Sequence, residues 1–215
     1  MQKPSLLFDL DGTLINSTAS IVRGFHAALE RFGLPRAEPS EICSHIGHPL
    51  EVMFARLGAP EELISNLIAE YKKNYLATFL DDTVLLPGAS EALALAASFA
   101  DVGVVTTKTS RFSRVLLEKM DVAKYLGVII GRDDVERPKP DAEPILKALA
   151  ALGKDKVDAF MIGDTPMDAL AAKNAGIISV GVSCGYVDAQ TLRPHCSRIC
   201  ESALVAVEYV KSNLN

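Results

Sequence analysis

Short apolar runs alternate with helical patterns along most of this chain, and that alternation constrains the fold more than any other feature. The runs at 6–8, 102–105, 128–130, 160–162 and 177–182 are rich in β-branched residues or bounded by turn signals. Between them lie segments of helical period. In 16–33 the apolar residues Ile21, Val22, Phe25, Ala28, Leu29 and Phe32 recur on one face. Segments 88–99, 111–120, 141–152 and 165–175 also read as helices, and Leu204, Val207 and Leu214 mark a last one, with Val205 and Val210 beside it. Strands alternating with helices mean βαβ units and a parallel sheet. The expected class is α/β, with a Rossmann-like, doubly wound parallel sheet. Such sheets place ligands beyond the carboxyl ends of their strands.

One stretch breaks the alternation. Residues 15–82 show helical patterns without a convincing strand, punctuated by Phe32-Gly33-Leu34-Pro35, Ile46-Gly47-His48-Pro49 and Gly58-Ala59-Pro60. This predicts a small helical insert in an α/β core formed by 1–14 and 83–215. A length of 215 residues agrees, being about 1.4 times a typical domain.

Composition excludes several classes. Twenty-two Lys and Arg against 27 Asp and Glu give a net charge of −5, which argues against a nucleic-acid binder relying on a basic face. No apolar run approaches the roughly 18 to 20 residues that span a bilayer, and the few apolar residues between Lys3 and Asp9 are too short for a secretory signal. Cys43, Cys184, Cys196 and Cys200 show no metal-finger spacing and read as reduced thiols in a cytoplasmic protein.

Four clusters each follow a predicted strand. The first is Asp9-Leu10-Asp11-Gly12-Thr13, where two carboxylates can divide labour if the chain turns sharply at Gly12. One carboxylate suits attack on phosphorus and the other proton transfer. The same residues also suit a simple turn bonded to nearby amides. An EF-hand loop is excluded, because its glycine belongs at the sixth position rather than the fourth. Next comes Thr106-Thr107-Lys108, whose hydroxyls suit an oxyanion but are also ordinary strand residues. In Arg137-Pro138-Lys139-Pro140 a lysine sits between two prolines, either a fixed cation for an anion or a solvated loop residue. The last cluster is Gly163-Asp164-Thr165-Pro166-Met167-Asp168. Its two acids suit Mg²⁺, and equally suit a helix start with Asp164 as N-cap and Asp168 against the dipole.

Taken together and in this order, the clusters resemble the motifs of the haloacid dehalogenase-like hydrolase superfamily, in its phosphoglycolate phosphatase-like branch. The resemblance spans essentially the whole chain. It implies Asp9 as nucleophile through an aspartyl-phosphate, and Asp11 as general acid and base. Thr106 and the Thr107 amide would hold phosphoryl oxygens, with Gly12, Thr13 and Lys108 lining the substrate site. Lys139 would offset negative charge. Mg²⁺ would be bound by Asp9, Asp164 and the Asp11 carbonyl, with Asp168 supporting the metal site or orienting Lys139. The insert matches the family's cap, which closes over the site, and His48 in its Ile46–Leu50 loop would meet substrate; by itself a lone histidine is more often structural or exposed. The implied partner is a small phosphorylated molecule, with no nucleic acid or membrane, and a monomer or homodimer.

Three departures stand out. Asn16 replaces a frequent Asp, Thr107 a frequent Asn, and Lys139-Pro140-Asp141-Ala142-Glu143-Pro144 lacks the second proline of Lys-Pro-x-Pro. Asp11 disfavours dehalogenase and phosphonatase chemistry, which lack that acid. A β-phosphoglucomutase-like mutase is disfavoured by the absence of an early histidine in the insert. A pyrophosphatase or nucleotidase shares every motif. A non-catalytic phospho-ligand-binding protein would fit better if a charged motif residue were missing. Outside this superfamily, Gly181-Val182-Ser183-Cys184-Gly185 matches G-x-S-x-G, but the elbow should open a helix with an acid and then a histidine over further strands, and here only His195 follows, twelve residues on.

Overall fold

The computed structural model of the chain describes residues 3–214. In chain order the elements are β1 (Ser5–Phe8), β2 (Ile15–Asn16), α1 (Thr18–Arg31), α2 (Pro39–Ser44), α3 (Leu50–Arg56), α4 (Ile64–Thr78), β3 (Val84–Leu85), α5 (Ala89–Phe99) and β4 (Asp101–Val105). There follow α6 (Ser110–Lys119), β5 (Val128–Ile130), α7 (Glu143–Ala151), β6 (Ala159–Gly163), α8 (Pro166–Ala175), β7 (Ile178–Val182), α9 (Ala189–Leu192), β8 (Arg198–Cys200) and α10 (Ala203–Ser212). They fall into two compact units, Asn16–Val84 and the remainder.

The larger unit is built on six strands in the order β5-β4-β1-β6-β7-β8, every neighbour parallel. The chain works outward from β1 through β4 to β5, then returns to build β6, β7 and β8 on the other side. The order therefore reverses between β1 and β6, the switch point at which doubly wound sheets open a crevice. The expected class holds. β1, β6 and nearly all of β4 are buried, as strands covered on both faces must be. On one face Leu7, Val105, Ile130 and Met161 pack with Ile145, Ala148 and Leu149 of α7 and Ala171, Ala172 and Ala175 of α8. α5 packs against α10, and the buried Ala89, Ala92 and Ala96 of α5 keep its bulk small.

Most expected elements appear within two residues of their expected bounds, with four corrections. β8 was not anticipated: only Ile199 in Arg198–Cys200 is a branched apolar residue, and the strand exists through pairing with β7. β2 and β3, two residues each, pair with one another; β2 opens the stretch read as strand-free and β3 lies just past its end. The buried stripe of α10 is Ala203, Ala206, Val207 and Val210; Leu204 is half-buried and Leu214 lies past the helix. The N-cap of α8 is Thr165 and not Asp164.

In the smaller unit α1 lies against α4. Its centre is aromatic, with Phe25 4.5 Å from Phe54 and 5.1 Å from Tyr71, ring centre to ring centre. Gly24 makes this approach possible, since a Cβ there would sit 2.8 Å from the Tyr71 ring. Gly33 and Gly58, at φ +65° and +79°, terminate α1 and α3 as their turn chemistry predicts.

Candidate active site

Asp9, Thr106 and Asp164 sit where the neighbouring strands β1, β4 and β6 stop. The Asp9 amide donates to the Ile162 carbonyl (2.8 Å), prolonging the β1–β6 ladder by one step and fixing where the carboxylate emerges. The Thr106 amide does the same toward Ile130 (2.9 Å) beyond β4. After Asp9 the chain folds back on itself, with the amides of Leu14 and Ile15 both donating to the Leu10 carbonyl (2.9 and 3.0 Å). Gly12 takes φ +86° in this turn, a conformation costly for other residues.

Lys139 is the hub. Its side chain is about 1% exposed, and its ammonium donates to Asp9 Oδ1 (2.7 Å), Asp168 Oδ1 (2.6 Å) and the Val105 carbonyl (3.0 Å). Three acceptors match three N–H donors. Asp168 spends its other oxygen on Thr165, accepting from the amide (3.1 Å) and the hydroxyl (2.7 Å) at the start of α8. The Asp168 contact is the one that orienting Lys139, the second of the two implied roles, requires. Burial alone would lower the Lys139 ammonium, but Asp168 and Asp9 outweigh it and hold its pKa above the ordinary value.

Asp164 is held from three directions. Oδ1 accepts from the Thr13 hydroxyl (2.9 Å) and Oδ2 from the Tyr186 amide (2.9 Å). Gly12 and Gly185 flank it closely: a Cβ would fall 2.3 Å from Oδ2 at Gly12 and 2.1 Å at Gly185. Gly163 likewise leaves room for Asp168, whose Cβ would otherwise be 2.4 Å away. Asp11 pairs with Lys108 (3.1 Å), both side chains largely buried. The Thr106 hydroxyl accepts from the Lys108 amide (3.1 Å), which shapes the turn carrying that lysine.

Ligand atoms of Asp9, Asp164 and Asp168 lie within 4.8 Å of one another. Burial, with repulsion from Asp168, raises Asp9 to about 7 despite the opposing Lys139 charge. Burial, then Asp9 and Asp168, lifts Asp164 well above the usual carboxylate range, against the Tyr186 and Thr13 hydrogen bonds. Buried carboxylates that repel one another this strongly favour a cation. Asp9, Asp164 and Asp168 together offer buried carboxylate oxygens of the kind a hard cation takes.

A family model described as haloacid dehalogenase-like hydrolase matches residues 6–182. The chain belongs to this family. The phosphoglycolate phosphatase of Salmonella typhi is 34% identical over 203 residues, covering 83% of this chain and 81% of that protein. A candidate pyrophosphatase of Caldanaerobacter subterraneus is 30% identical over 195 residues, covering 90% and 87%. Among solved structures, a haloacid dehalogenase-like family protein of Streptococcus pneumoniae superposes with a TM-score of 0.87 at 26% identity, covering 96% of this chain and 98% of its own. The resemblance read from the motifs is borne out.

In this haloacid dehalogenase-like hydrolase, Asp9, Asp11, Gly12, Thr13, Lys108, Lys139, Asp164 and Asp168 meet through the contacts above, with Thr106 and the half-buried Thr107 at the end of β4. His48 belongs to the smaller unit, where its Nε2 lies 2.9 Å from an Arg56 nitrogen. A guanidinium only donates, so Nε2 is the acceptor and the ring proton sits on Nδ1. Burial, with Arg56 and His45, lowers the His48 pKa. Groups that sequence reasoning missed are the Val105 carbonyl, Thr165, Gly163, Gly185 and the Tyr186 amide. Ser183 is followed by a loop rather than a helix, and its hydroxyl donates to the Cys200 carbonyl (3.4 Å), which removes support for a serine nucleophile. Cys184 donates to the Gly12 carbonyl (3.6 Å), and burial with nearby Asp164 pushes its pKa up, so it is a neutral packing group.

Proposed function

We propose that this hydrolase is a Mg²⁺-dependent phosphatase of small phosphomonoesters, with 2-phosphoglycolate as leading substrate. The observation that carries the reading is the buried Asp9 carboxylate, gripped by Lys139 and facing Asp164. Asp9 attacks phosphorus, forming an aspartyl-phosphate as the ester P–O bond breaks. Asp11 gives its proton to the departing oxygen. It then takes a proton from the water that cleaves the aspartyl-phosphate, releasing inorganic phosphate and regenerating Asp9. Lys139 offsets the negative charge that accumulates at Asp9 and on the phosphoryl oxygens. The Thr106 hydroxyl and the Thr107 amide bind those oxygens. Asp9, Asp164 and the Asp11 carbonyl would hold Mg²⁺, which when bound supplies charge neutralisation to the phosphoryl group.

The named activity of the Salmonella relative supports 2-phosphoglycolate. That of the Caldanaerobacter relative favours pyrophosphate as second reading. All four cysteines are free thiols, which supports a reducing, cytoplasmic setting. The test is phosphate release from 2-phosphoglycolate, hexose phosphates, nucleotides and pyrophosphate, with Mg²⁺ and with EDTA. Preference for 2-phosphoglycolate, silenced by EDTA and by Asp9→Asn in a folded protein, is expected. Activity in EDTA removes the metal from the mechanism, and near-normal turnover by Asp9→Asn removes the nucleophile.

A further inference from the structure

The loop that delivers Lys139 runs from the end of β5 to α7 and lacks the second proline noted above. Ala142 stands in that place, and Glu143 follows it. The Glu143 carboxylate accepts from two consecutive main-chain amides, Glu136 (2.9 Å, Oε1) and Arg137 (3.0 Å, Oε2), and from Arg137 Nε (3.4 Å). Its own amide donates to Asp141 Oδ1 (2.9 Å), and the Asp141 amide donates to the Pro138 carbonyl (3.0 Å). One side chain at the first turn of α7 thus ties both ends of the segment that carries Lys139. A helix N-terminus favours a carboxylate there, and the two amides hold its pKa below the usual range, so it is ionised and fully able to accept.

We infer that Glu143 is a positioning residue for Lys139: its carboxylate clamps the loop in place of the missing proline. It touches no reacting atom and acts through the backbone of residues 136–141. Lys139 needs three acceptors at 2.6–3.0 Å. Misplacement by about 1 Å costs up to about a hundredfold in rate in sites of this kind. The inference rests on the phosphatase reading for its kinetic half only.

The experiment uses the full chain with Mg²⁺. Glu143→Ala should lower kcat about ten- to a hundredfold and speed hydrogen exchange of the Glu136 and Arg137 amides. Glu143→Gln, which keeps one acceptor oxygen, should fall between it and the parent. Arg137→Ala removes the two exposed ion pairs to Glu143 and Asp141 but leaves both main-chain amide bonds, and should leave kcat within about twofold. The decisive variant is A142P/E143A. Ala142 has φ −71°, within the range proline imposes, and follows Asp141 in a side-chain turn that accepts proline. Stiffening the loop in this way should restore at least half of the lost kcat. Unchanged amide exchange in Glu143→Ala, full activity of that variant, or no recovery in A142P/E143A would each overturn the clamp. Should the parent release no phosphate from any substrate, the phosphatase reading fails, while amide exchange still decides the clamp.

Discussion

Replacing Lys139 with Ala removes one cation from between two buried carboxylates. In the parent its ammonium makes three hydrogen bonds, and Asp9 and Asp168 have side chains only 3% exposed. Breaking a buried ion pair by deleting one partner costs about 3–5 kcal/mol, because the remaining charge is stranded. For a chain of this size that corresponds to a Tm loss of about 6–20 °C. The loss should depend on pH in a definite direction. Asp9 in the folded parent already titrates near 7, above its value of 3.8 in an unfolded chain. The folded state therefore binds its proton more tightly, and this stabilising contribution is lost as pH rises through 7. Without Lys139, which lowers the Asp9 pKa, that value climbs further. Urea unfolding in EDTA at pH 5 and pH 8 should show the deficit of Lys139→Ala widest at pH 8 and smallest at pH 5, where the carboxyls can protonate. Adding Asp168→Asn to Lys139→Met should cost less than the sum of the single changes. A deficit below about 1 kcal/mol at both pH values would refute the argument that Lys139 neutralises these acids.

Other outcomes follow from the same geometry. Gly185→Ala puts a methyl 2.1 Å from Asp164 Oδ2; it should cost about 1–3 kcal/mol as an overpacked site and raise the Mg²⁺ concentration for half-maximal activity. An unchanged Mg²⁺ requirement would show that this glycine is not needed to seat Asp164. Lys108→Met frees Asp11 from its buried partner and should lower kcat/KM at least about tenfold, as expected when a general acid loses its alignment. Partial recovery in Lys108→Arg would separate alignment from a fold defect. Ser183→Ala removes only a hydrogen bond to the Cys200 carbonyl and should leave turnover within about twofold; a collapse of activity in folded protein would reopen the serine-nucleophile reading.

What the sequence disclosed and what it withheld divide along a physical line. Asp9, Asp11, Lys139, Asp164 and Asp168 were legible because four charged or polar clusters recur in an order that resembles one family's motifs, although each alone also fitted a turn, a solvated loop or a helix start. The Val105 carbonyl and the Tyr186 amide were not, since every residue carries such main-chain groups and only the fold aims them. Gly185 looked like part of a nucleophile elbow, because its actual partner, Asp164, is far away in sequence. β8 was hidden for a related reason: Arg198 and Cys200 are poor strand markers, and its pairing with β7 makes the strand. The inward stripe of α10 was misread because two of its four buried residues are alanines, which count little in a hydrophobic pattern yet suit close helix packing.

The wedging of Asp164 between Gly12 and Gly185 carries a consequence for the growing polypeptide. The partners that seat this carboxylate come from opposite ends of the chain: Thr13 is 151 residues before it, and Cys184, which reaches back to the Gly12 carbonyl, is 172 residues beyond that glycine. A ribosome delivers residues in order, so the first acidic motif waits without its counterparts through most of synthesis. Such distant pairings also slow folding relative to local ones. A nascent chain halted after α8 would contain Asp9, Asp11, Lys139 and Asp164, but nothing to supply the Tyr186 amide or the gap at Gly185. Assembly of the site is thus timed to emergence of the loop beyond β7.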